Sequence, residues 1–464
     1  MNLGGLLFII SLYFFAFAWG RIRDAKHFLL FTGIVSVPFE FTYSFYTWQP
    51  HNGWTSGIEI SLSEISFLLL ALITFFKGNR SVHVSRRIVW AVVLFVVASG
   101  LSGINSEVRK LTACQMLLVA KLFGLYYFGF VYCLESRKDI QAVLKYLCVS
   151  MVLQGAFCLM LYLTGLNFNR VLNTGPSVRS LVTVGDEGGI VRAFGSFPQP
   201  NSLAAYLVPL ILLQGAIYLG GIERSRFRLL GIVGGLFGLI ASFSRAGWLG
   251  FVVCFPALLI GLGRFRFLKV LFLTVCVIAG VLAVAPLRER ILGDDHNSAA
   301  SRVPLMHLAM NMVRQHWAIG VGANTYAMAK YRYLDDSLDG VWLDQVHNTY
   351  LLVLAETGVL GLGAFLLFLT FFFKEVGPCI KQHGDPFIRY LGLGLRLGLV
   401  ASMFHMLVDM FHSRALLSSM FLLCGLATAA RRNLEAQSWT ETEELHSEPE
   451  ATGKKPSNAA IGTR

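Results

Sequence analysis

Apolar positions along the chain gather into continuous runs of about 17 to 25 residues, each long enough to cross a bilayer as a helix. Such runs lie near 3–19, 28–46, 58–76, 88–105, 111–133, 140–163, 202–220, 229–243, 248–263, 270–287, 350–373, 389–408 and 415–430. The second holds Pro38 and Glu40, and the eighth is short. The pattern predicts an all-α, polytopic transmembrane helix bundle of 12–13 helices. The first run has no basic residues before it and no small-residue cleavage site after it, which reads as a retained helix rather than a signal peptide.

Between the runs, charge falls unevenly. With the C-terminal tail placed inside and the runs alternating, the inside loops at 20–27, 77–87, 134–139, 221–228, 264–269 and 374–388 hold 17 Lys and Arg. The short outside loops at 47–57, 106–110, 244–247 and 409–414 hold 4, an asymmetry that selects this orientation by the positive-inside rule. The expected organisation is then N-terminal spans over 1–163, an outside loop over 164–201, central spans over 202–287, a large outside loop over 288–349, C-terminal spans over 350–430, and a tail over 431–464. The tail is polar and acidic and reads as disordered. Connections as long as the two outside loops are uncommon unless they carry function.

Composition agrees with a membrane environment. Hydrophobic residues make up 55% of the chain and charged residues 14%, too few to cover a water-soluble surface. The net charge of +12 sits mainly in the inside loops, so it reports topology and argues against nucleic acid as a partner. The eight cysteines form no CxxC pair, and most lie within apolar runs, where cysteine serves as a small buried hydrophobe. His296, His307 and His316 lack metal-ligand spacing and no HExxH occurs, so neither a metal nor a cofactor is expected.

The outside face carries isolated arginines: Arg192 in "VRAFGSFPQPNSLAAYL", Arg245 in "ASFSRAGWLGF", Arg302 at the start of "SRVPLMHLAMNMVRQHW", and Arg414 in "DMFHSRALL". Singly, each is also what snorkelling to headgroups or pairing with a carboxylate would produce. Together on the side disfavoured for positive charge, they point to an anionic ligand, with a lipid-borne diphosphate the natural one at a membrane face. The segment 301–317 reads as an amphipathic helix, either lying on the membrane or closing over a site, or packed on the loop's own small core. His347 stands at the mouth of the spanning run "HNTYLLVLAETGVLGLGAF", where an imidazole can exchange a proton, and Asn348 can cap the helix or hold a hydroxyl. Both residues also make an ordinary polar helix start. Glu356, nine positions on, falls on the opposite helical face about 13 Å along. It is expected to meet a polar group on a neighbouring helix, with Gly358, Gly361 and Gly363 letting that helix approach. Lys121 and Arg396 are expected to pair within the bundle and Glu64 to be structural. Asp409 and His412 can line the site or form a plain polar loop.

The segments "RAFGSFPQPNSLAAYL", "SFSRAGWLGF", "SRVPLMHLAMNMVRQHWAIGVGANTY" and "HNTYLLVLAETGVLGLGAF", in this order and membrane placement, resemble the bacterial O-antigen ligase and polymerase family of membrane glycosyltransferases. Trp317 stands where that family usually has a proline after the histidine. The resemblance implies a GT-C-like fold with a large periplasmic loop between late helices, in the bacterial inner membrane, with the site facing the periplasm. It implies a glycan donor on undecaprenyl diphosphate and, as acceptor, a lipid A core or another glycan. Carried onto this sequence, Arg192 and Arg245 contact the diphosphate with Arg302 a third, and His347 is the base. Asn348, Glu356 and Arg414 are read from the sequence itself as supporting candidates. The ligase reading leads and a polymerase joining lipid-linked repeat units is the alternative. A carrier of lipid-linked sugars stands behind both, since it calls for charge along a central path.

Overall fold

The computed structural model describes residues 25–39, 42–48, 53–76, 84–166, 183–184, 190–263, 269–270, 275, 283, 288, 302–338, 343–382, 384–411 and 413–447. It is an all-helical bundle: α1 (Ala25–Ser36), α2 (Leu62–Phe76), α3 (Arg86–Ser102), α4 (Arg109–Cys133, with a π-helical stretch at Gly124–Gly129), α5 (Arg137–Thr164), α6 (Pro200–Leu219), α7 (Arg226–Ala241), α8 (Arg245–Gly261), α9 (Arg302–His316), the short α10 (Tyr326–Ala329), α11 (Thr349–Lys381), α12 (Pro386–Val408) and α13 (Arg414–Ser447). Among the described residues, α4, α5, α6, α11, α12 and the 414–434 part of α13 are long and apolar enough to span a membrane. The run expected at 3–19 lies outside the described residues, and that at 270–287 almost entirely so.

The expected span at 28–46 is not one helix. It stops at Ser36, continues as a 3-10 turn through Val37–Phe39, and gives way to β1 (Thr42–Thr47). Pro38 cannot donate to a continuing helix, and the sequence TYSFYT is rich in the aromatic and β-branched residues that favour an extended chain. This strand pairs antiparallel with β2 (Gly57–Ser61), so the next helix begins at Leu62 rather than at 58.

The centre of the bundle is α6, flanked by α7, α8 and α12, with α13 running against the π-helical stretch of α4. Leu203, Leu207, Leu210 and Leu213 of α6 are buried. Close approach elsewhere depends on absent side chains. A Cβ on Gly155 of α5 would stand 2.6 Å from the Gly234 carbonyl oxygen of α7. Outer helices turn large apolar groups outward: Trp90, Leu94, Val97 and Leu101 recur at helical spacing along α3. In lipid such a stripe is solvated.

The large loop has its own small core. Leu308 and Met312 of α9 pack with Trp54, Val321, Tyr326, Leu338, Val346, Leu352 and Val353. The inner face of the amphipathic helix thus rests on the loop and the start of α11, while Val303, Met306, Met310 and Trp317 remain outward and exposed.

The seat for this loop is a break in α11. Thirty-three residues of helix would run about 50 Å, well beyond the roughly 30 Å of a hydrocarbon core. At Gly358 the backbone leaves helical geometry (φ 65°, ψ −168°). The Ala355 and Glu356 carbonyls accept from Val321 and Gly322 N–H (2.9 and 3.0 Å), while Val359 N–H donates to the Trp317 carbonyl (2.9 Å). The loop therefore completes hydrogen bonds that the broken helix leaves open. Gly320 (φ 75°) faces Gly358 across this contact. A Cβ on Gly320 would lie 2.3 Å from Glu356 backbone, and one on Gly358 would lie 2.3 Å from Ala318 backbone. Gly358 thus admits a loop rather than a neighbouring helix, whereas Gly361 faces the Thr357 side chain of its own helix and Gly363 meets nothing within 4 Å.

Gly358→Ala or Gly320→Ala should each lower stability by about 2–5 kcal/mol, from the left-handed backbone and the backbone clash. Gly363→Ala should stay within about 1 kcal/mol. Thermal unfolding of the purified variants measures both.

Candidate functional site

The described residues of the segments around 48–61, 105–107, 192–201, 241–245, 302–347 and 409–414 lie at one end of the bundle, tied to one another by hydrogen bonds. Asn105 Nδ2 donates to the Gly320 carbonyl (2.8 Å), and Thr112 Oγ1 to that of Ala323 (3.0 Å). Asn324 grips Thr55 through both its N–H (3.3 Å) and its carbonyl (2.8 Å). Basic segments gather at the other end, where Arg137 meets Asp385 (2.9 Å) and Lys26 meets Asp139 (2.9 Å).

The tightest polar constellation forms where α6 and α11 begin and α12 ends. Pro200 opens α6 and puts Asn201 in its first turn. Asn348 caps α11 by accepting from Leu351 N–H (2.9 Å), and its Nδ2 donates to the Leu407 carbonyl (3.0 Å). Thr349 Oγ1 donates to the Asp409 carbonyl (3.0 Å) and accepts from Phe411 N–H (2.8 Å). These bonds zip the start of α11 to the end of α12, and they leave His347 facing Asp409.

Asp409 is the hub. Its Oδ1 lies 3.0 Å from His347 Nδ1 and accepts from Met410 N–H at 2.8 Å. Its Oδ2 accepts from Asn201 Nδ2 at 2.5 Å, and His405 Nε2 lies 3.9 Å away. Burial alone would raise this carboxyl. The His347 hydrogen bond, the two neighbouring imidazoles and the Met410 N–H outweigh burial and bring it down to about 2. Asp409 is therefore ionised at neutral pH and can only accept, so His347 Nδ1 carries the proton. A neutral His347 then presents its lone pair at Nε2. About a quarter of the His347 side chain is exposed, against 4% of Asp409.

The network continues to Arg192, which is buried. Its Nη2 donates to Asn201 Oδ1 (2.9 Å) and its Nε to the Ser242 carbonyl (2.9 Å). A hydrogen-bonded series thus runs Arg192–Asn201–Asp409–His347. Ser242 belongs to the tight corner between α7 and α8, where Phe243 holds a left-handed backbone (φ 47°), a conformation rare for an aromatic residue. The corner brings Arg245, half-buried, to the first position of α8, three residues beyond the carbonyl that Arg192 binds. A guanidinium there opposes the helix dipole, and its charge adds to the unpaired N–H groups of the helix start. Arg302 opens α9, half-buried, and interacts electrostatically with His405.

Two expected supporting residues lie elsewhere. Glu356 does not meet a neighbouring helix. It is buried beneath the loop, where Oε2 accepts from Trp54 Nε1 (2.9 Å) and Oε1 from Tyr326 N–H (3.2 Å). The break at Gly358 gives it loop backbone as its partner. Arg414 is no part of the constellation around His347: it pairs with Glu59 of the hairpin and lies 3.7 Å from Glu64, which also binds Lys121 (2.9 Å). The half-buried Glu59 of β2 and the fully buried Glu64 draw it there. Lys121 and Glu64 thus pair within the bundle, whereas Arg396 lies over the Phe373 ring. His412 lies outside the described residues.

Asn201 and His405 join the constellation without having stood out in the sequence. The available signals were a polar residue directly after a helix-opening proline, and a histidine four residues before Asp409 near the end of an apolar run.

These features define a multi-pass helical membrane protein with an oriented imidazole and several arginines at one end. Residues 230–366 match the family model described as O-Antigen ligase, so this part of the chain is similar to that family. The activity associated with it is that of a membrane glycosyltransferase of the O-antigen ligase or polymerase type. The matched stretch contains Arg245, Arg302, His347, Asn348 and Glu356. None of the curated proteins matches the chain. Among the described residues no group of histidine, cysteine and carboxylate side chains could hold a metal ion.

The Asp409 carboxyl titrates at about 2 rather than 3.8, so its charge favours the folded state at neutral pH, by about 2 kcal/mol. That contribution is present above pH 4 and fades as pH falls toward 2. Asp409→Asn should therefore be less stable than the parent at neutral pH, with the gap closing in acid. Unfolding curves at a series of pH values measure this.

Proposed function

We propose that the chain transfers a glycan from undecaprenyl diphosphate to an acceptor hydroxyl at the periplasmic face of the bacterial inner membrane, as an O-antigen ligase. The observation that carries this reading is His347, its Nδ1 committed to a buried, ionised Asp409 and its Nε2 left for a substrate proton, with Arg192 joined to the same network and Arg245 and Arg302 at the same end of the bundle. The acceptor is a lipid A core or another glycan.

In the proposed reaction the acceptor oxygen attacks the anomeric carbon while its proton passes to His347 Nε2. A new C–O bond forms as the bond to the lipid diphosphate breaks, and the diphosphate leaves with the electron pair. In-line attack inverts the anomeric centre. Charge developing on the leaving oxygens is met by fixed guanidinium groups, which supply the electrostatic stabilisation without a metal. Arg245, at the opening of α8, and Arg302 are the direct phosphate partners. Arg192 adds positive charge and holds Asn201 against Asp409. Asp409 orients the imidazole and stabilises the imidazolium that forms, as the carboxylate does in other acid–base pairs. A carrier of lipid-linked sugars would place such groups along a central path, whereas here they gather at one end.

His347→Ala should lower transfer by about 10²–10⁴-fold while keeping the fold. Asp409→Asn, which can turn the imidazole to the wrong tautomer, should lower it by up to about 10⁴-fold. The assay is transfer by purified protein from lipid-linked glycan. Near-parental rates in His347→Ala would remove the base role. In a strain lacking the chain, long polymer stranded on the lipid diphosphate is the expected profile, and single repeat units would instead mean a polymerase.

A further inference from the structure

At the end of the bundle opposite His347, a cavity of about 430 Å³ opens between α3, α11 and α13. Arg86, Arg87, Arg431 and Arg432 line it, with Glu375 the one carboxylate and Thr428 a neutral polar wall. Arg431 lies seventeen residues along α13 from Arg414, or about 26 Å, so the cavity sits close to the second membrane interface.

The walls are held in place. Tyr127, in the π-helical stretch of α4, accepts from Ser85 N–H (3.1 Å) and is hydrogen-bonded to Thr428 Oγ1 (3.2 Å), tying the start of α3 to α13. Arg431 binds Glu375 at 3.3 Å. Arg432 donates to the carbonyls of Val131 (3.2 Å) and Leu134, neither of which cancels its charge. Arg86 and Arg87 are exposed and have no ion-pair partner among the described residues. They occupy the first turn of α3, where the helix dipole disfavours positive charge. Within the chain, Arg431 is met by Glu375 and Arg432 feels Glu135 and Asp139, which leaves the positive charge of Arg86 and Arg87 to be met from outside. One turn on, Trp90 begins the exposed apolar stripe Trp90–Leu94–Val97–Leu101. A basic recess joined to an apolar stripe by an interfacial Trp has the shape of a lipid molecule, headgroup and tail.

We propose that this cavity binds the phosphate headgroup of an anionic membrane phospholipid, with an acyl chain laid along the outer face of α3. The site is separate from the His347 constellation and does not rest on the transferase reading.

The test uses the full-length protein in neutral detergent, with thermal unfolding measured after adding phosphatidylglycerol, phosphatidylcholine or inorganic phosphate. Phosphatidylglycerol should raise Tm by a few degrees and phosphatidylcholine should not. The double substitution R86Q/R87Q, at two exposed positions, should keep the parental Tm and lose the rise. Native mass spectrometry should show phosphatidylglycerol retained by the parent and lost from that variant. An equal rise with inorganic phosphate would assign the cavity to a soluble phosphate and overturn the lipid source. A rise found only in the full-length E441Q/E443Q/E444Q variant would assign it to the chain's own acidic tail. No rise, or an undiminished rise in R86Q/R87Q, would overturn the site altogether.

Discussion

A buried carboxylate, Asp409, holds together the point where three helices meet. It terminates α12, faces His347 just before α11, and accepts from Asn201 in the first turn of α6. An ionised carboxylate away from water is costly unless its lone pairs are filled. Here they are filled by an imidazole, a side-chain amide and a backbone N–H, and each of these donors becomes fixed in turn. The need to satisfy one charge thus sets the tautomer of His347, the rotamer of Asn201 and, through Asn201, the orientation of the Arg192 guanidinium. The same arrangement leaves the other imidazole nitrogen without a hydrogen-bond partner among the described residues.

The large loop follows a related logic at the backbone level. α11 is too long for the membrane, and its break at Gly358 exposes carbonyl and N–H groups that residues 317–322 complete. Glu356 then fastens the loop from below through Trp54 and Tyr326. The loop is therefore built onto the helix that His347 immediately precedes, and α9, with Arg302 at its start, inherits its position from that seat. The geometry linking Arg302 to His347 rests on two glycines and one carboxylate that touch no substrate in the proposed reaction.

Much of this was legible in the sequence because the relevant signals are local. Run lengths give the helices, and charge asymmetry separates segments that the structure gathers at opposite ends. The stripe Leu305–Leu308–Met312 gives α9 its buried face. What escaped is non-local or irregular. Asn201 and Asp409 are 208 positions apart, and Trp54 and Glu356 are 302 apart, so no periodicity relates them. The hairpin at 42–61 was hidden inside apolar runs, where only Pro38 and the aromatic alternation mark a strand. Arg414 shares residue type and membrane side with the other arginines. Its distinction lies in Glu59 and Glu64, which the fold brings beneath it.

The central claim is that Asp409 fixes His347 with its proton on Nδ1 and its lone pair on Nε2. Nitrogen-15 NMR of the histidine-labelled protein, with His347 assigned by difference against His347→Gln, measures this directly at a pH where the imidazole is neutral. The account predicts the Nδ1–H tautomer in the parent and its loss in Asp409→Asn. A dominant Nε2–H tautomer in the parent would contradict it, because the nitrogen offered to the acceptor would then be a donor rather than a base.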